Sequence, residues 1–331
     1  MLRKNLAKTK ILKIILLISF GLFSFSQGLP FKRRQLAPGD ESSAQVRLEK
    51  REFLTSSGQK LRFLGRSFQA GELIMVSLEI AQPGVQACLI FKQNKLQLYK
   101  EETPDLTREL RLNGWLGVDG ETEPGIYPLR LIISWPDGKL EEGIFKFEIG
   151  RRQFRERKLQ VAPAFIQPPA ALRERIEREA NLLRWVFSLP SSKWRGDGYF
   201  ILPHQGSLTA FFGDSRVYNN KVRSFHNGVD IKANQGDPVM AANSGVVVVA
   251  GSFYFAGNMV VIDHGFGLFT AYNHLSRILV KRGQMVKKGD VIGLAGSSGL
   301  STGAHLHWSA RLNEDRIDPT CLLVLPFPSR N

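Results

Sequence analysis

Helical periodicity is scarce in this chain, and that scarcity is the strongest constraint on its fold. One stretch, AALRERIEREANLLRWVFSL, repeats apolar residues at spacings of three and four, and its predicted inner face is formed by Leu172, Ile176, Ala180, Leu183 and Phe187. Its mixed charge favours a linker helix packed on a domain over a membrane-surface helix. The other runs are short, alternating or valine-rich, and are bounded by turn residues. The sequence therefore predicts a mainly β protein with one amphipathic helix.

The first 26 residues have the pattern of a secretory signal. The basic stretch MLRKNLAKTKILK is followed by the apolar run IILLISFGLFSFS, which ends in small residues. The run is shorter than the roughly 20 residues of a spanning helix, so an uncleaved anchor is the less favoured alternative. We expect a signal peptide over 1–26, cleavage after Ser26, and export to the periplasm or cell envelope.

Charge and cysteine content narrow the function classes. The formal net charge of +15 falls to +10 without the signal, and outside the cytoplasm this favours an anionic wall or membrane surface over nucleic acid. Solubility alone explains scattered basic residues equally well. Cys88 and Cys321 lie in different segments without metal-ligand spacing, so we expect two buried free thiols.

Composition changes along the 331 residues indicate two domains. Runs such as ELIMVSLEI, QACLIFK and KLQLYK, and the hairpin pattern GIYPLRLIISW-PDG-EEGIFKFEI, predict an immunoglobulin-like β-sandwich over 43–150. A basic, proline-bearing linker with the helix follows over 151–198. Residues 199–325 form a second β-rich domain, in which NMVVID and LFTAYNHL predict a hairpin. The similar phrases GDPVMAANSGVV and GDVIGLAGSSG indicate a duplicated β-motif.

All six histidines lie in that second domain, and two of them form the motif HLH. In a strand, residues two apart share a face, so His305 and His307 point the same way. Leu306 and Trp308 would then face the core. Such a pair can offer two imidazoles to one ion, although many such pairs are incidental.

The second motif is HNGVD, from His226 to Asp230. A straight strand would separate these two residues by about 13 Å, whereas zinc ligands lie about 2 Å from the ion. They can share a metal only if the chain bends, which Gly228 permits. The alternative is a turn aspartate beside a surface histidine.

Combined, these motifs supply two imidazoles and one carboxylate with an open fourth position, which is typical of catalytic zinc. Non-haem iron is the alternative metal on ligand count. The other HLH histidine and His274 of YNHL are then left as a candidate proton acceptor and a candidate donor to an oxyanion.

A family resemblance rests on longer phrases: LTAFFGDSR, FHNGVDI, GDPVMAANSGVVV, MVVIDHGFGLFTAYNHL and VKKGDVIGLAGSSGLSTGAHLHW. In this order, over residues 202–322, they resemble the lysostaphin-type, or LytM-like, zinc endopeptidases that cut peptidoglycan cross-links. The preceding strand-rich domain and helix resemble, more loosely, the N-terminal region of some exported members.

The resemblance implies a role for each motif residue. His226, Asp230 and His307 are the implied ligands of Zn²⁺, and His305 and His274 are the implied catalytic residues. His305 would take a proton from the attacking water and pass it to the leaving amine, while His274 would stabilise the tetrahedral intermediate. The implied fold is a β-rich domain with a groove over its sheet, and the implied partner is peptidoglycan.

Four further residues have competing interpretations. We expect His264 of IDHGFG to be structural, with its ring bonded to nearby backbone, and His204 to be exposed and incidental. Arg216 of FGDSR is either substrate-facing or part of a fold-stabilising salt bridge. Tyr272, on the strand face predicted for His274, either lines the groove or belongs to the core.

Two other function classes remain as alternatives. A non-catalytic peptidoglycan-binding regulator that activates a cell-wall amidase would use the same groove, but the complete ligand and catalytic set argues against it. GDVIG is similar to biotinyl and lipoyl hairpins, yet no lysine occupies a matching tight turn. The N-terminal domain would either cover the groove and inhibit, or space the enzyme from the wall.

Overall fold

The computed structural model describes residues 47–80, 82–100, 110–159, 168–189, 191–219 and 222–329. The predicted signal peptide and its cleavage site lie outside these residues. Strands dominate the described chain, which has one α-helix, α1 (Arg173–Phe187), preceded by a 3-10 turn at Ala170–Leu172. The predicted mainly β architecture is confirmed.

The N-terminal half is a folded-over sheet. Its strands are β1 (Glu49–Leu54), β2 (Lys60–Gly65), β3 (Leu73–Ile80), β4 (Gln86–Phe91), β5 (Asn94–Lys100), β6 (Leu110–Gly117), β7 (Gly125–Ser134) and β8 (Leu140–Ile149). They pair in the order β1-β2-β3-β6-β5-β4-β7-β8. The two ends of this path meet, since the ring centroids of Phe53 and Phe145 are 5.0 Å apart and Arg51 donates to Glu148 O at 2.6 Å. The sheet therefore closes as two layers over one apolar core, the predicted sandwich.

Most of these strands coincide with the runs marked in the sequence. The hairpin of β7 and β8 pairs from Gly125↔Ile149 to Ser134↔Leu140. It turns at the predicted PDG, where Gly138 has a φ of 86° that glycine adopts without strain. Strands β1, β2 and β6 were not marked, because their apolar residues are interrupted by charged or polar ones. All of β1, half of β2 and three of the eight residues of β6 stay at least partly accessible.

The described residues of the linker and C-terminal half add fourteen strands and a second 3-10 turn, Pro319–Leu323. The strands are β9 (Glu156–Leu159), β10 (Leu208–Ala210), β11 (Ser215–Tyr218), β12 (Val222–Phe225), β13 (Gly228–Lys232), β14 (Pro238–Met240), β15 (Gly245–Phe253), β16 (Gly257–Gly265), β17 (Leu268–Leu275), β18 (Arg277–Ile278), β19 (Met285–Val286), β20 (Val291–Leu294), β21 (His305–Leu312) and β22 (Asp315–Ile317). The main sheet has the order β10-β13-β21-β17-β16-β15-β19, with β22 on β21. Two small sheets, β12-β11-β9 and β14-β20-β18, flank it.

The two similar phrases of the C-terminal half pair with each other. Strands β14 and β20 are antiparallel, with Val239 opposite Gly293. Before each strand an aspartate closes the same turn, since Asp237 accepts from the backbone N of Asn234 and Asp290 from that of Lys287, both at 2.7 Å. The repeated sequence therefore corresponds to a repeated turn-and-strand unit.

Helix α1 packs on one face of the main sheet. Leu183, Val186 and Phe187 contact a buried apolar cluster that includes Met259 and Phe269. The predicted inner face is confirmed, because Ile176, Ala180, Leu183 and Phe187 are buried, while Leu172 caps the helix and is only partly covered. The opposite face of the sheet carries Leu306, Trp308 and Tyr272 in the main core.

The two halves share that main core. Leu73 and Trp115 from the N-terminal sheet are buried within it, and the Trp115 ring lies 4.7 Å from Trp194 and 5.6 Å from Phe327. An ion network crosses the same interface, with Arg66 and Arg152 contacting both Glu72 and Asp318. The N-terminal sheet is therefore fixed against the C-terminal half by apolar and charged contacts.

Cys88 and Cys321 are free and buried, as expected.

None of the helices in the described part of the chain has the length and apolar character needed to cross a membrane.

Candidate metal centre

Three donor groups meet in the interior of the C-terminal half. The antiparallel register of β13 and β21 sets Asp230 opposite His307, and His307 Nδ1 lies 2.8 Å from Asp230 Oδ1. His226 Nε2 lies 3.1 Å from the same oxygen and 3.1 Å from His307 Nδ1. Their donor atoms lie within 4.8 Å of one another, and all three side chains are buried. The structure thus brings together two imidazole nitrogens and a carboxylate oxygen, as the sequence predicted.

Backbone and side-chain acceptors fix both imidazoles. His226 lies in the link between β12 and β13, and its Nδ1–H donates to Phe211 O at 2.7 Å, which leaves the Nε2 lone pair facing Asp230. His307 Nε2–H donates to Asn227 Oδ1 at 3.2 Å, which leaves its Nδ1 lone pair facing the same carboxylate. Two buried lone pairs and an anionic oxygen converge at hydrogen-bond distance, and a divalent cation satisfies all three. The donor set therefore fits a metal ion.

Gly228 is required for a different reason from the one expected. It starts β13 against β21, and a Cβ there would lie 2.4 Å from Trp308 O and 2.9 Å from His307 Nε2. Because backbone atoms cannot move aside as a flexible side chain can, only glycine lets the strand carrying Asp230 approach His307 this closely.

Ionisation of the ligand set follows from burial. Burial lowers the pKa of His307 to about 4, so the ring is neutral, which is the ligand form. Burial opposes ionisation of Asp230, but His226, His307 and Arg216 together hold its pKa well below the usual range. The carboxylate is therefore charged at neutral pH.

Arg216 lies behind the carboxylate. Its side chain is 1% exposed and its Nη2 lies 3.1 Å from Asp230 Oδ2, the oxygen that does not meet the imidazoles. Of the two interpretations, the structure has the buried salt bridge, and the guanidinium has no access to substrate. Arg216 therefore orients Asp230.

The remaining two predicted site residues lie beside the donor set. His305 Nε2 is 3.8 Å from Asp230 Oδ1, and its Nδ1–H donates to Gly303 O at 2.9 Å. The ring of His274 lies 4.8 Å from that of His305, and its Nδ1–H donates to Ser298 O at 2.9 Å. Both rings thus use Nδ1 for the backbone and keep Nε2 for another partner.

His274 reaches this place through an unusual backbone conformation. Strict alternation along β17 puts it on the face of Tyr272, which is the core face opposite Trp308. Its φ of 62° is in the left-handed region, and this turns the ring to the other face, where Asn273 opposes His307. Tyr272 itself is fully buried and its hydroxyl accepts from Ala242 N at 2.8 Å, so it belongs to the core.

The last two histidines lie apart from the donor set. His264 is buried, with its ring within 2.8 Å of Ser244 O and Thr270 Oγ1, which agrees with the expected structural role. His204 is better covered than expected, because its side chain is 11% exposed and its Nδ1 contacts Pro238 O at 3.2 Å.

Four residues that the sequence motifs did not indicate extend the site. Asn227, Asn273, Ser309 and Arg311 line a cleft beside His307, on the sheet face that α1 covers. A signal was present, since the alternation of HLHWSARL places Ser309 and Arg311 on the histidine face.

Comparison with known proteins adds to this geometry. Residues 224–319 match the model of Peptidase family M23. The peptidoglycan DD-endopeptidase ShyA of Vibrio cholerae is 51% identical over 83 residues, which are 25% of this chain and 19% of that protein. The DD-carboxypeptidase/endopeptidase Mpg of Neisseria meningitidis is 44% identical over 103 residues, 31% of this chain and 24% of that protein. The matched segments thus span about a fifth to a quarter of these relatives.

A solved structure extends the likeness beyond the matched segment. The crystal structure of a peptidase M23 from Pseudomonas aeruginosa is 25% identical, with a TM-score of 0.58, and the match covers 78% of this chain and 96% of that one. A match of that length includes part of the N-terminal half, so the combination of the two halves is shared as well. Together with the family match, this shows that residues 224–319 form a domain of peptidase family M23.

Proposed function

We propose that this protein is a zinc-dependent endopeptidase that hydrolyses peptide cross-links of bacterial peptidoglycan in the periplasm or cell envelope. The observation that carries the proposal is the buried donor set of His226, Asp230 and His307 with two further imidazoles beside it. The names of ShyA and Mpg, which describe those relatives as acting on peptidoglycan or as endopeptidases, favour this substrate class.

His226, Asp230 and His307 would hold the zinc ion. When bound, zinc acts as a Lewis acid that polarises a peptide carbonyl and makes water acidic enough to attack at neutral pH. Asp230 contributes one negative charge, already shared with Arg216, so the site retains positive charge for an oxyanion.

His305 would accept the proton of the attacking water. Gly303 O holds its Nδ1–H, so the lone pair of Nε2 points towards the donor set, 3.8 Å from Asp230 Oδ1. After attack, the same Nε2 can pass the proton to the leaving amine.

His274 would stabilise the developing oxyanion. Because Ser298 O holds its Nδ1–H, donation from Nε2 requires a ring that carries both protons. Burial lowers the pKa of His274 to about 3, so the ring is neutral at rest, and the proposed role requires it to take up a proton as the oxyanion forms.

Purified protein, loaded with Zn²⁺, tests the proposal on isolated sacculi. We expect new amine ends and cross-linked muropeptides converted to monomers, identified by mass spectrometry, and no such products from H307A. Absence of new amine ends, together with stimulation of an added cell-wall amidase, would instead support the non-catalytic regulator.

A further inference from the structure

A cleft lies beside the candidate metal centre on the sheet face that α1 covers, and we call it the α1 cleft. Its floor is formed by Asn273, Ser309 and Arg311, and its wall by Leu183 and Phe187 of α1. Asn227 lines its near end and contacts His307 Nε2 at 3.2 Å. The cleft therefore adjoins the site at Asn227.

The register of β21 gives the cleft a direction. His307, Ser309 and Arg311 alternate with core residues, so they share one face of the strand. Four residues of strand place Arg311 about 13 Å from His307. An extended peptide held at the site would span that distance with two to four residues, allowing for the length of the arginine side chain.

Two polar groups of the cleft lack the partners that buried groups usually have. Asn273 is 8% exposed, and its Oδ1 has no hydrogen-bond partner among the residues that the structure describes. The Arg311 guanidinium lies 5.0 Å from the centre of the Phe187 ring and donates to Glu314 O at 2.8 Å. No carboxylate of the described ranges lies within the 4.0 Å of an ion pair with it, unlike the other arginines at the neighbouring interface.

Arg311 is half-buried, and partial loss of hydration disfavours a cation that has no ion-paired carboxylate among the described residues. Desolvation lowers the pKa of Arg311 to about 10, and the group remains charged at neutral pH. A carboxylate supplied by a ligand would repay this cost with charge-assisted, bidentate hydrogen bonds. The small Ser309 beside it leaves room for such a group.

We propose that the α1 cleft binds the substrate peptide on one side of the scissile bond, and that Arg311 binds a free carboxylate two to four residues away from that bond. Asn273 Oδ1 accepts a backbone N–H of the same peptide. The inference rests on the proposed function and narrows its substrate to peptides that carry an unamidated carboxyl group. Arg311 acts as a specificity residue, since it lies too far from the donor set to take part in bond cleavage.

Two cross-linked muropeptides test the proposal, identical except that one has a free carboxyl group and the other an amide at that residue. We expect wild-type kcat/KM to favour the free carboxylate by about tenfold to a hundredfold, the value of a charge-assisted hydrogen bond. R311Q should reduce this ratio to near one while changing kcat/KM for the amidated peptide less than about threefold. The exposed R130Q, on the outer face of the N-terminal sheet, is the matched control and should keep the ratio.

A second variant tests the same subsite in case R311Q does not fold. S309E places a carboxylate next to Arg311 on the same strand face, where it competes with the carboxylate of the substrate, so the ratio should fall again. Equal cleavage of both peptides by the wild type, or an unchanged ratio in both variants, overturns the inference.

Failure of the proposed function is distinguishable from failure of the subsite. If neither peptide is cleaved, calorimetric titration of the same two peptides into the wild type and R311Q still decides. Tighter binding of the free carboxylate by the wild type alone supports the cleft, and equal binding by both proteins overturns it.

Discussion

Arg216 and Asp230 form an ion pair inside the protein, with Nη2 3.1 Å from Oδ2 and both side chains 1% exposed. The other carboxylate oxygen, Oδ1, faces His226 and His307. One carboxylate thus joins the candidate metal centre to a fixed cation behind it. The cation holds the carboxylate in place and, at the same time, withdraws part of its charge from the ligand set.

Removal of that cation should weaken the fold and metal binding together. R216M leaves the buried carboxylate of Asp230 without its partner, so the free energy of unfolding of the metal-free protein should fall by about 3–5 kcal/mol. Metal affinity should also fall, about tenfold to a hundredfold, because Asp230 is no longer oriented. Denaturant unfolding and competition with a chelator measure the two effects. R223Q is the matched control, since Arg223 is 71% exposed beside Glu156, which is 44% exposed, and its loss should cost less than about 1 kcal/mol. Full metal affinity in R216M would show that Asp230 is positioned without the arginine.

The two histidines of HLH should separate metal binding from chemistry. H307A removes a donor that lies 2.8 Å from Asp230 Oδ1, so zinc binding and hydrolysis should both be lost. H305A should keep zinc binding within a few-fold and lose about 10²–10⁴ in kcat, the usual contribution of a general base. Zinc titration of each apoprotein is the measurement. If H305A abolished metal binding and H307A did not, the two roles would be exchanged.

His264 should make stability depend on pH independently of the metal. Burial lowers its pKa from 6.5 to about 4, so below pH 6.5 the unfolded chain binds a proton that the folded chain does not. Stability should therefore fall by about 1.4 kcal/mol per pH unit between pH 6.5 and pH 4 from this group alone. Denaturant unfolding of the wild type and of H264N over this range measures the difference, and the H264N curve should be flatter by that slope. Parallel curves would show that His264 is protonated equally in both states.

Trp115 should couple the stability of the two halves. Its side chain is 3% exposed and lies in the core of the C-terminal half. W115A should therefore lower the free energy of unfolding by about 3–5 kcal/mol, and the protein should still unfold in a single thermal transition, at a lower temperature. W185A, on the 51% exposed outer face of α1, is the control and should change stability by less than about 0.5 kcal/mol. Two resolved transitions, of which only one moves in W115A, would contradict a shared core.

The N-terminal half therefore stabilises the C-terminal half, whether or not it also inhibits the enzyme or spaces it from the wall. The N-terminal half contacts the segment that carries His226. Gly120 packs against the ring of Phe225, the residue before His226, so closely that a Cβ at position 120 would lie 2.5 Å from that ring. Deletion of residues 27–150, the direct test of inhibition, would also remove Leu73 and Trp115 from the shared core. Point substitutions at the interface are the cleaner test, because they preserve that packing.

Local pattern was sufficient to predict the HLH strand. His305 and His307 share a face because alternation is a property of any strand, and Leu306 and Trp308 are fully buried behind them. Helix α1 was predicted equally well from its apolar residues, which repeat at spacings of three and four. Such features depend on a few neighbouring residues and need no knowledge of distant contacts.

The pairing of strands that are distant in the sequence could not be predicted from local patterns. The register that sets Asp230 opposite His307 joins residues 77 apart, and no local signal specifies it. The family resemblance supplied that pairing instead. His274 shows a second limit, since a φ of 62° in a non-glycine residue reverses the face that alternation assigns. Arg216 shows a third, because a charged residue gives no sign in the sequence of whether it will be buried.

Two glycines near the candidate metal centre differ in whether they tolerate a side chain. A side chain at Gly228 would strike Trp308 O and separate the two strands that carry the donors, so a mutant library should leave that position fixed. Gly303, whose carbonyl accepts from His305, has no atom within 4 Å of a Cβ built there. Larger residues at 303 therefore fit without a clash and would change the surface beside His305, while the donor set stays intact.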